Sequence, residues 1–301
     1  MRIVFSFAIL LLCQLSVSRA DMIYVTTKWG NDIETFDENG NRSVFASGLS
    51  GPQGIAFDQS GNLYVDDSLN NRILKYTGTV PSVFATTGLN APRGITFDAA
   101  GNLLVANYWA YNIMKYSPDG QGTVVAWNWW YHADDIAFDN SGNMFVASSE
   151  GNEVLKYTLD GRQTVLPLYG LSQPDGLAFD KNGNLFIASS GNNLIYKVDK
   201  QGNQTVFANS GLCAPQGLAF DSSGNLYVAN SWILNNIVKF DPNGNQLWSA
   251  ATSDGPVFIA IQVPEPSEAV FQAVALCLGL FGCGVMNGVR FRLCKFLSLS
   301  E

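Results

Sequence analysis

The sequence predicts an all-β protein, a six-bladed β-propeller, and three observations lead to this prediction. A motif of the form Pro-x-Gly-(Ile/Leu)-(Ala/Thr)-Phe-Asp-x-x-Gly-Asn recurs every 40 or 41 residues. Each copy contains four short apolar runs, too short for stable helices and rich in β-branched and aromatic residues. The two ends of the repeat region supply parts of one further copy. Four antiparallel strands per roughly 40 residues are typical of propeller blades. The phenylalanines of the motif are Phe57, Phe97, Phe138, Phe179 and Phe220.

The first turn in every copy has the sequence Asp-x-x-Gly-Asn. The Asp side chain accepts hydrogen bonds from backbone amides two residues on, and Gly takes the positive φ that closes a hairpin at little cost. Five copies of one turn are typical of hairpin chemistry rather than of calcium loops, so we interpret these acids as structural. The turns begin at Asp58, Asp98, Asp139, Asp180 and Asp221.

The closing blade is predicted from the two ends of the repeat region. Residues 22–27, 32–37 and 41–46 supply the second, third and fourth strands of a blade that lacks its first. Residues 255–262 align with the first-strand motif, with Ala260 lying 41 positions after Ala219. We therefore predict that the C-terminal strand pairs with the N-terminal three, which closes the ring and leaves no unpaired edge strand at the seam.

Residues 52–76, with the sequence PQGIAFDQSGNLYVDDSLNNRILKY, resemble the NHL repeat family. Asp67, Asn70 and Arg72 match the D-x-x-N-x-R pattern of that family, whereas the later copies lack the arginine. The resemblance covers residues 21–262 and implies the propeller fold. It implies no particular activity, because this scaffold hosts unrelated functions.

The N-terminus predicts export. Residues 1–20 begin with Arg2, continue with an apolar stretch at 3–13 and end in Ser18-Arg19-Ala20. A basic start, a short apolar core and a small-residue end are typical of a secretory signal peptide, with cleavage expected after Ala20.

The C-terminus, residues 263–301, predicts a sorting tail. The sequence Pro264-Glu265-Pro266 lies within a short motif at 263–267 and is followed at 269–289 by 21 uncharged residues, enough to cross a bilayer. A basic tip follows at 290–295, as the positive-inside bias expects. This order resembles the PEP-CTERM sorting signal of certain bacteria. The resemblance implies that an exosortase is a partner that removes the tail during export to the cell envelope or extracellular matrix. A permanent transmembrane anchor is the alternative.

Charge and cysteine content exclude some functions. Residues 21–262 contain 12 Lys and Arg against 22 Asp and Glu, a net charge of −10. A surface this acidic repels phosphate backbones, so we expect no nucleic-acid binding. Cys213 is the one cysteine of this region, so no disulfide forms within it. We expect the domain to be a monomer.

The loops predict a binding face rich in aromatic residues. In a propeller, the loops before the first strand and between the second and third strands of each blade share one face. Exposed rings suit sugar faces or the apolar anchor of a protein partner, so we expect protein or extracellular polysaccharide there. The alternative is that the rings pack against one another between blades. These residues are Trp29, Tyr108, Trp109, Tyr111, Trp129, Trp130, Tyr131 and Trp232.

The copy at 129–138, with the sequence WWYHADDIAF, departs most from the repeat. Asp135 replaces a repeat glycine, so we expect its carboxylate near the mouth of the central channel. Asp134 and Asp175 hold equivalent positions in neighbouring copies, with Arg93 on the other side. Three carboxylates, with asparagines such as Asn107 and Asn230 nearby, have the oxygen ligands that Ca²⁺ or another divalent ion takes. The alternative is that Asp134 pairs with Arg93 and the other two acids are solvated.

Catalysis is the less favoured function. His132 is the only histidine, so a zinc site that needs several is excluded. We expect no Glu in the inner loops, and therefore not the metal set of a gluconolactonase-type enzyme. The repeat style resembles that of the streptogramin lyases, but the His–Glu catalytic pair of that family is not found in the sequence. His132 and Asp135 are the only catalytic candidates. We therefore predict an exported, non-catalytic binding module. The alternative is a divalent-metal-dependent hydrolase or lyase with its site at the channel mouth.

Overall fold

A computed structural model describes residues 21–127 and 131–262. The strands fall into six groups of four, which we number as blades along the ring. Blade 1 contains β1 (Met22–Thr27), β2 (Asp32–Phe36), β3 (Arg42–Ser47) and, from the other end of the chain, β24 (Pro256–Gln262). Blade 2 contains β4 (Pro52–Phe57), β5 (Leu63–Asp67), β6 (Arg72–Thr77) and β7 (Val80–Ala85). Blade 3 contains β8 (Pro92–Phe97), β9 (Leu103–Asn107), β10 (Asn112–Tyr116) and β11 (Gly122–Trp127).

The remaining blades follow the same plan. Blade 4 contains β12 (Asp135–Phe138), β13 (Met144–Ser148), β14 (Glu153–Tyr157) and β15 (Gln163–Val165). Blade 5 contains β16 (Pro174–Phe179), β17 (Leu185–Ser189), β18 (Leu194–Val198) and β19 (Gln204–Ala208). Blade 6 contains β20 (Pro215–Phe220), β21 (Leu226–Asn230), β22 (Asn236–Phe240) and β23 (Gln246–Ala251). Two short 3₁₀ turns, Ser68–Asn70 and Tyr108–Ala110, lie between the second and third strands of blades 2 and 3.

Each group of four strands is one antiparallel sheet, and the sheets form a closed ring. The inner strands adjoin in the order β4, β8, β12, β16, β20, β24 and back to β4. The shared blade has the order β24-β1-β2-β3, with Ile23 opposite Ile261 and Val25 opposite Ile259. The predicted six-bladed propeller with four-stranded blades is therefore confirmed, including the blade that both ends of the repeat region share.

The hydrophobic core lies between neighbouring blades. The second strand of blades 2 to 6 is buried at all five of its positions, because it has a neighbouring blade on each side. At the seam between blades 1 and 2, for example, Leu63 and Val65 of β5 pack in one cluster with Val257 of β24. The continuous apolar runs of the repeat follow from this two-sided burial.

Glycine in the inner strand permits the close approach of neighbouring blades. A Cβ atom at Gly54 would overlap the carbonyl oxygen of Arg93 in the next inner strand, and one at Gly176 would overlap that of Gln216. The third residue of the Pro-x-Gly motif is therefore a packing requirement at the channel.

The Asp-x-x-Gly-Asn turns use their own carboxylates. Oδ1 of Asp58 accepts hydrogen bonds from the backbone amides of Ser60 (2.9 Å) and Asn62 (2.8 Å), and Oδ2 accepts one from the Asn62 side chain at 2.7 Å. The Asp139 and Asp180 turns repeat these bonds. The predicted hairpin role of these acids is confirmed.

On the face opposite the Asp-x-x-Gly-Asn turns, where we expected the aromatic loops, a repeated asparagine joins neighbouring blades. Asn71, held at φ 49°, accepts a hydrogen bond through Oδ1 from the backbone amide of Ala91 in the next blade at 2.6 Å. We call this interaction the latch. Tyr111 occupies the latch position of blade 3, also with positive φ. The other latches are Asn31 to Gly51, Asn152 to Gln173, Asn193 to Ala214 and Asn235 to Gly255.

No helix within the described residues is long and apolar enough to cross a membrane. The predicted signal peptide (1–20), the predicted sorting tail with its span (263–301), and Trp129 and Trp130 lie outside the described residues.

Candidate functional site

We call the face that carries the latches the latch face. On this face, the residue at one loop position differs from blade to blade. The backbone amides of Leu69, Trp109 and Gly191 each bond to a carbonyl oxygen of the loop that leads into their own blade, at 2.9 to 3.1 Å. These residues therefore occupy equivalent positions at the loop tip between the second and third strands. Counted from the end of the second strand, this position holds, from blade 1 to blade 6, Trp29, Leu69, Trp109, Glu150, Gly191 and Trp232. The loop of blade 6 is one residue longer, so Ile233 takes the position when it is counted back from the latch residue Asn235.

Apolar side chains at this position are exposed on four consecutive blades. The exposed fractions are 74% for Trp232 of blade 6, 64% for Trp29 of blade 1, 67% for Leu69 of blade 2 and 57% for Trp109 of blade 3. Ile233, which follows Trp232, is exposed at 81%. We call these five residues the apolar arc. Blades 4 and 5 carry Glu150 and Gly191 instead, so the arc covers one side of the rim only.

A second group of rings packs against itself. The ring of His132 lies between those of Tyr108 (centroid distance 3.9 Å, interplanar angle 11°) and Tyr111 (4.4 Å, 24°), with Trp109 edge-on at 4.9 Å. His132 is only 3% exposed. Tyr108 and Tyr111 therefore pack against another ring, which is the alternative that we considered for the aromatic loops. This stack replaces the latch between blades 3 and 4.

His132 has an acidic neighbour that we did not expect. Nδ1 lies 2.8 Å from the carbonyl oxygen of Tyr108, which places a proton on that nitrogen. Nε2 lies 3.3 Å from Oε1 of Glu150 and 3.5 Å from the hydroxyl of Tyr111. The expectation that no Glu lies in the inner loops was wrong, because Glu150 lies in the loop between β13 and β14 and contacts His132. The loop that leads into blade 4 packs on the loop between β13 and β14, which brings together residues that are distant in sequence.

Arg93 connects three blades at the channel. Its Nη1 forms an ion pair with Oδ1 of Asp134 in blade 4. Its Nη2 donates to both oxygens of Asp175 in blade 5, at 3.0 and 2.9 Å. Oδ2 of Asp134 accepts a further bond from the backbone amide of Ser149 at 2.6 Å. Burial raises the pKa of Asp175, and the charge of Arg93 opposes that rise. The structure thus brings together three of the predicted site residues.

The carboxyl group of Asp135 bonds to backbone amides rather than to Arg93. Oδ1 accepts the backbone amide of Ile136, and Oδ2 accepts that of Leu177 in blade 5, both at 2.8 Å. The side chain is buried, and this burial raises the pKa of Asp135 to about 8. The carboxyl group therefore holds two inner strands together.

The carboxyl groups predicted as metal ligands have protein partners. Within residues 21–127 and 131–262, no group of three or more His, Cys, Asp or Glu side chains is arranged to hold a metal ion. Oδ1 of Asn107 accepts the amide of Asn90, and that of Asn230 accepts the amide of Cys213. The pairing of Asp134 with Arg93 is the alternative we considered, and Asp175 joins it. A divalent-ion site stays a prediction.

Two charged residues near this cluster were not singled out from the sequence. Asp66 is fully buried and accepts the backbone amides of Gln53 and Gly54 at 2.9 and 2.7 Å. Burial raises the pKa of Asp66 well above its ordinary value. Burial lowers the pKa of Lys28, and the positive charge of Arg93 lowers it further. Asp66 could have been recognised from the sequence as an unusual residue, because the other full copies of the repeat carry Ala at its position.

The comparisons with known proteins identify the fold. No family model and no curated protein matches the sequence. A chain of the nidogen–laminin complex is 19% identical, with a TM-score of 0.72 over 80% of this chain and 98% of that one. A virginiamycin B lyase of Staphylococcus aureus is 15% identical, with a TM-score of 0.60 over 77% and 81%. A gluconolactonase of Xanthomonas campestris is 17% identical, with a TM-score of 0.63 over 80% and 88%. Identities this low establish similarity of fold alone.

Proposed function

We propose that this chain is an exported, non-catalytic binding module that holds a protein or a polysaccharide on its latch face. The observation that carries the proposal is the apolar arc, in which one loop position presents exposed tryptophan or leucine on four consecutive blades. Trp29, Trp109 and Trp232 were candidate binding residues on sequence grounds, and all three rings have more than half of their surface exposed.

The energetics of exposed tryptophan support this use of the arc. An aromatic side chain buries about 150–250 Å² when covered, at about 25 cal/mol per Å², so three rings supply several kcal/mol to association. Tryptophan is also enriched among residues that dominate binding energy. Leu69 and Ile233 are aliphatic and do not stack on sugars as flat rings do, so the arc as a whole favours a protein partner.

Charge limits the chemistry of the partner. The net charge of −10 over residues 21–262 repels acidic chains, so we infer a neutral or basic partner surface. The nidogen–laminin chain of the same fold comes from a protein complex, which is compatible with this role. The predicted signal peptide and the predicted sorting tail with Pro264-Glu265-Pro266 support the proposal that the protein reaches the cell envelope or matrix through an exosortase.

The test of this proposal separates the two partner classes. The protein is applied to a glycan array and, immobilised, to a mixture of envelope proteins, beside a variant with Trp29→Ala, Trp109→Ala and Trp232→Ala. We expect ligands that bind the wild type and not the variant. Identical retention by the two proteins on both supports would contradict the proposal.

A second candidate is a divalent-metal-dependent hydrolase or lyase at the channel mouth. It is favoured by a cluster of carboxyl groups with raised pKa, Asp66, Asp135 and Asp175, since such clusters are common at active sites. Glu150 beside His132 adds an acid–base pair, although the stacked tyrosines cover the imidazole. In this role, Ca²⁺, Mg²⁺ or Mn²⁺ raises the melting temperature, and Asp134→Asn removes the effect. No shift with any of the three ions would contradict it.

A further inference from the structure

Three seams between blades are filled by a triad of aromatic rings on the turn face, opposite the latches. A ring from the second strand packs edge-on against one from the fourth strand and one from the first strand of the next blade. Tyr64 does so with Phe84 and Phe97, each with ring centroids 5.0 Å apart. The other two triads are Tyr24 with Phe45 and Phe57, and Phe186 with Phe207 and Phe220.

The seam between blades 3 and 4 lacks two rings of this triad. Leu104 takes the second-strand position and Val125 the fourth-strand position, so only Phe138 of the next blade remains. A cavity of about 900 Å³ lies there, and we call it the seam pocket. The corresponding cavity between blades 5 and 6, where the triad is complete, has about 370 Å³. The seam pocket is lined by Leu104, Val125, Trp127, Phe138, Tyr157 and Leu159.

A lysine above the pocket also lacks the ring that its equivalents have. Opposite the second-strand ring, blades 2, 4, 5 and 6 carry a lysine whose ammonium lies 4.9 to 5.5 Å from the ring centroid. Lys115 is opposite Leu104 in the same register. Its ammonium bonds to Asp98 at 2.8 Å, and among the described residues no aromatic ring lies beneath it. The cation–π contribution made in four other blades is therefore open to another ring.

We propose that the seam pocket binds a small aromatic molecule, whose ring lies beneath Lys115 in the space that tyrosine and phenylalanine fill at other seams. The volume lies within the range of small-molecule sites, which are mostly apolar with a few polar groups. Phe138 and Tyr157 offer edge-to-face contacts, and Gln163 and Asn140 line the same pocket with groups that bind a hydroxyl. A phenol fits this chemistry. The inference is independent of the binding role of the apolar arc, because the pocket is on the opposite face.

The test uses p-cresol, which is the side chain of tyrosine as a free molecule. Its binding to the full chain is measured by saturation-transfer NMR. The repeat itself supplies the blocking variant, Leu104→Tyr with Val125→Phe, which restores the missing triad. We expect p-cresol to bind the wild type and to bind this variant at least about tenfold more weakly. Lys115→Met, which keeps the aliphatic stem, weakens binding about two- to fivefold through loss of the cation–π interaction.

The controls identify the site and guard against misfolding. Val206→Ala, at an exposed position of the outer strand of blade 5, leaves p-cresol binding unchanged. Thermal melts check each variant, and Leu104→Tyr alone is read in place of the double variant if the latter melts early. Undetectable binding to the folded wild type would overturn the proposal. So would equal binding to the wild type and to the filled variant.

Discussion

Nη2 of Arg93 in blade 3 donates to both carboxylate oxygens of Asp175 in blade 5, at 3.0 and 2.9 Å, although blade 4 lies between them. The same guanidinium pairs with Asp134 of that intervening blade. One cation therefore neutralises two buried acids at the channel and ties three blades together.

Removal of the cation tests its role in stability. In Arg93→Met, two buried carboxylates lose their partner, so we expect the free energy of unfolding to fall by about 3–5 kcal/mol. Urea denaturation measures this loss. Arg162→Met, at an exposed turn, serves as the matched control and changes stability by less than about 0.5 kcal/mol. Equal stability of the two variants would contradict the account of the cluster.

The pH dependence of stability tests the buried carboxyl of Asp135. Because burial raises its folded pKa to about 8, above the unfolded value, the folded state binds the extra proton between these limits. The contribution of Asp135 to stability is therefore fully present below the unfolded pKa of about 4 and is lost as pH rises towards 8, by up to about 1.4 kcal/mol per pH unit for this one group. Asp66 and Glu34, whose pKa values burial also raises, add slopes of the same sign.

The contribution of Asp135 is isolated by substitution. Denaturation curves at several pH values should show a shallower fall for Asp135→Asn than for the wild type. Asp160→Asn, at an exposed turn, should leave the slope between pH 5 and 8 unchanged. A slope in Asp135→Asn as steep as that of the wild type would show that the carboxyl titrates in solution-like surroundings.

The glycine requirement at the channel is tested at Gly54. In Gly54→Ala the added Cβ meets the carbonyl oxygen of Arg93, so two inner strands must separate, and we expect a loss of more than about 2 kcal/mol. Gly101→Ala is the comparison, because that site has positive φ but open space around it, and the cost there is about 1–2 kcal/mol. Melting temperatures in the reverse order would count against close packing at the channel.

The stacked histidine is expected to be structural. His132→Ala removes a ring that is 3% exposed and held between Tyr108 and Tyr111, so we expect a loss of about 2–3 kcal/mol. Binding through the apolar arc should persist at temperatures where the variant is folded. If the variant instead kept full stability and lost a measured hydrolase or lyase activity, the second candidate function would be favoured.

The repeat made the fold predictable from the sequence. The phenylalanine spacing defined the blades, and the match of Ala260 to Ala219 placed β24 beside β1, because each blade is a local unit with its own strand and turn signals. The alignment also contained the latch asparagines and the substitutions Leu104 and Val125. Their consequences, an inter-blade bond and a cavity, depend on how neighbouring copies pack, which a single copy does not specify.

The site was less predictable for the same reason. That Asp134 pairs with Arg93 followed from adjacent blades, whereas the reach of Arg93 to Asp175 depends on the curvature of the ring. The backbone bonds of Asp135 and the contact of Glu150 with His132 depend on loop packing between distant positions. Sequence position indicates which face a loop occupies but not which side chains meet there.

The central claim is that the apolar arc is the surface that holds the partner, and a titration tests it most directly. A ligand retained by the wild type is purified and titrated against three proteins. These are the wild type, the variant with Trp29, Trp109 and Trp232 changed to alanine, and a variant with the exposed turn-face residue Val80 changed to alanine. We expect the first variant to bind at least about 100-fold more weakly and Val80→Ala to bind as the wild type does. Wild-type affinity in the arc variant, or an equal loss in both variants, would contradict this claim.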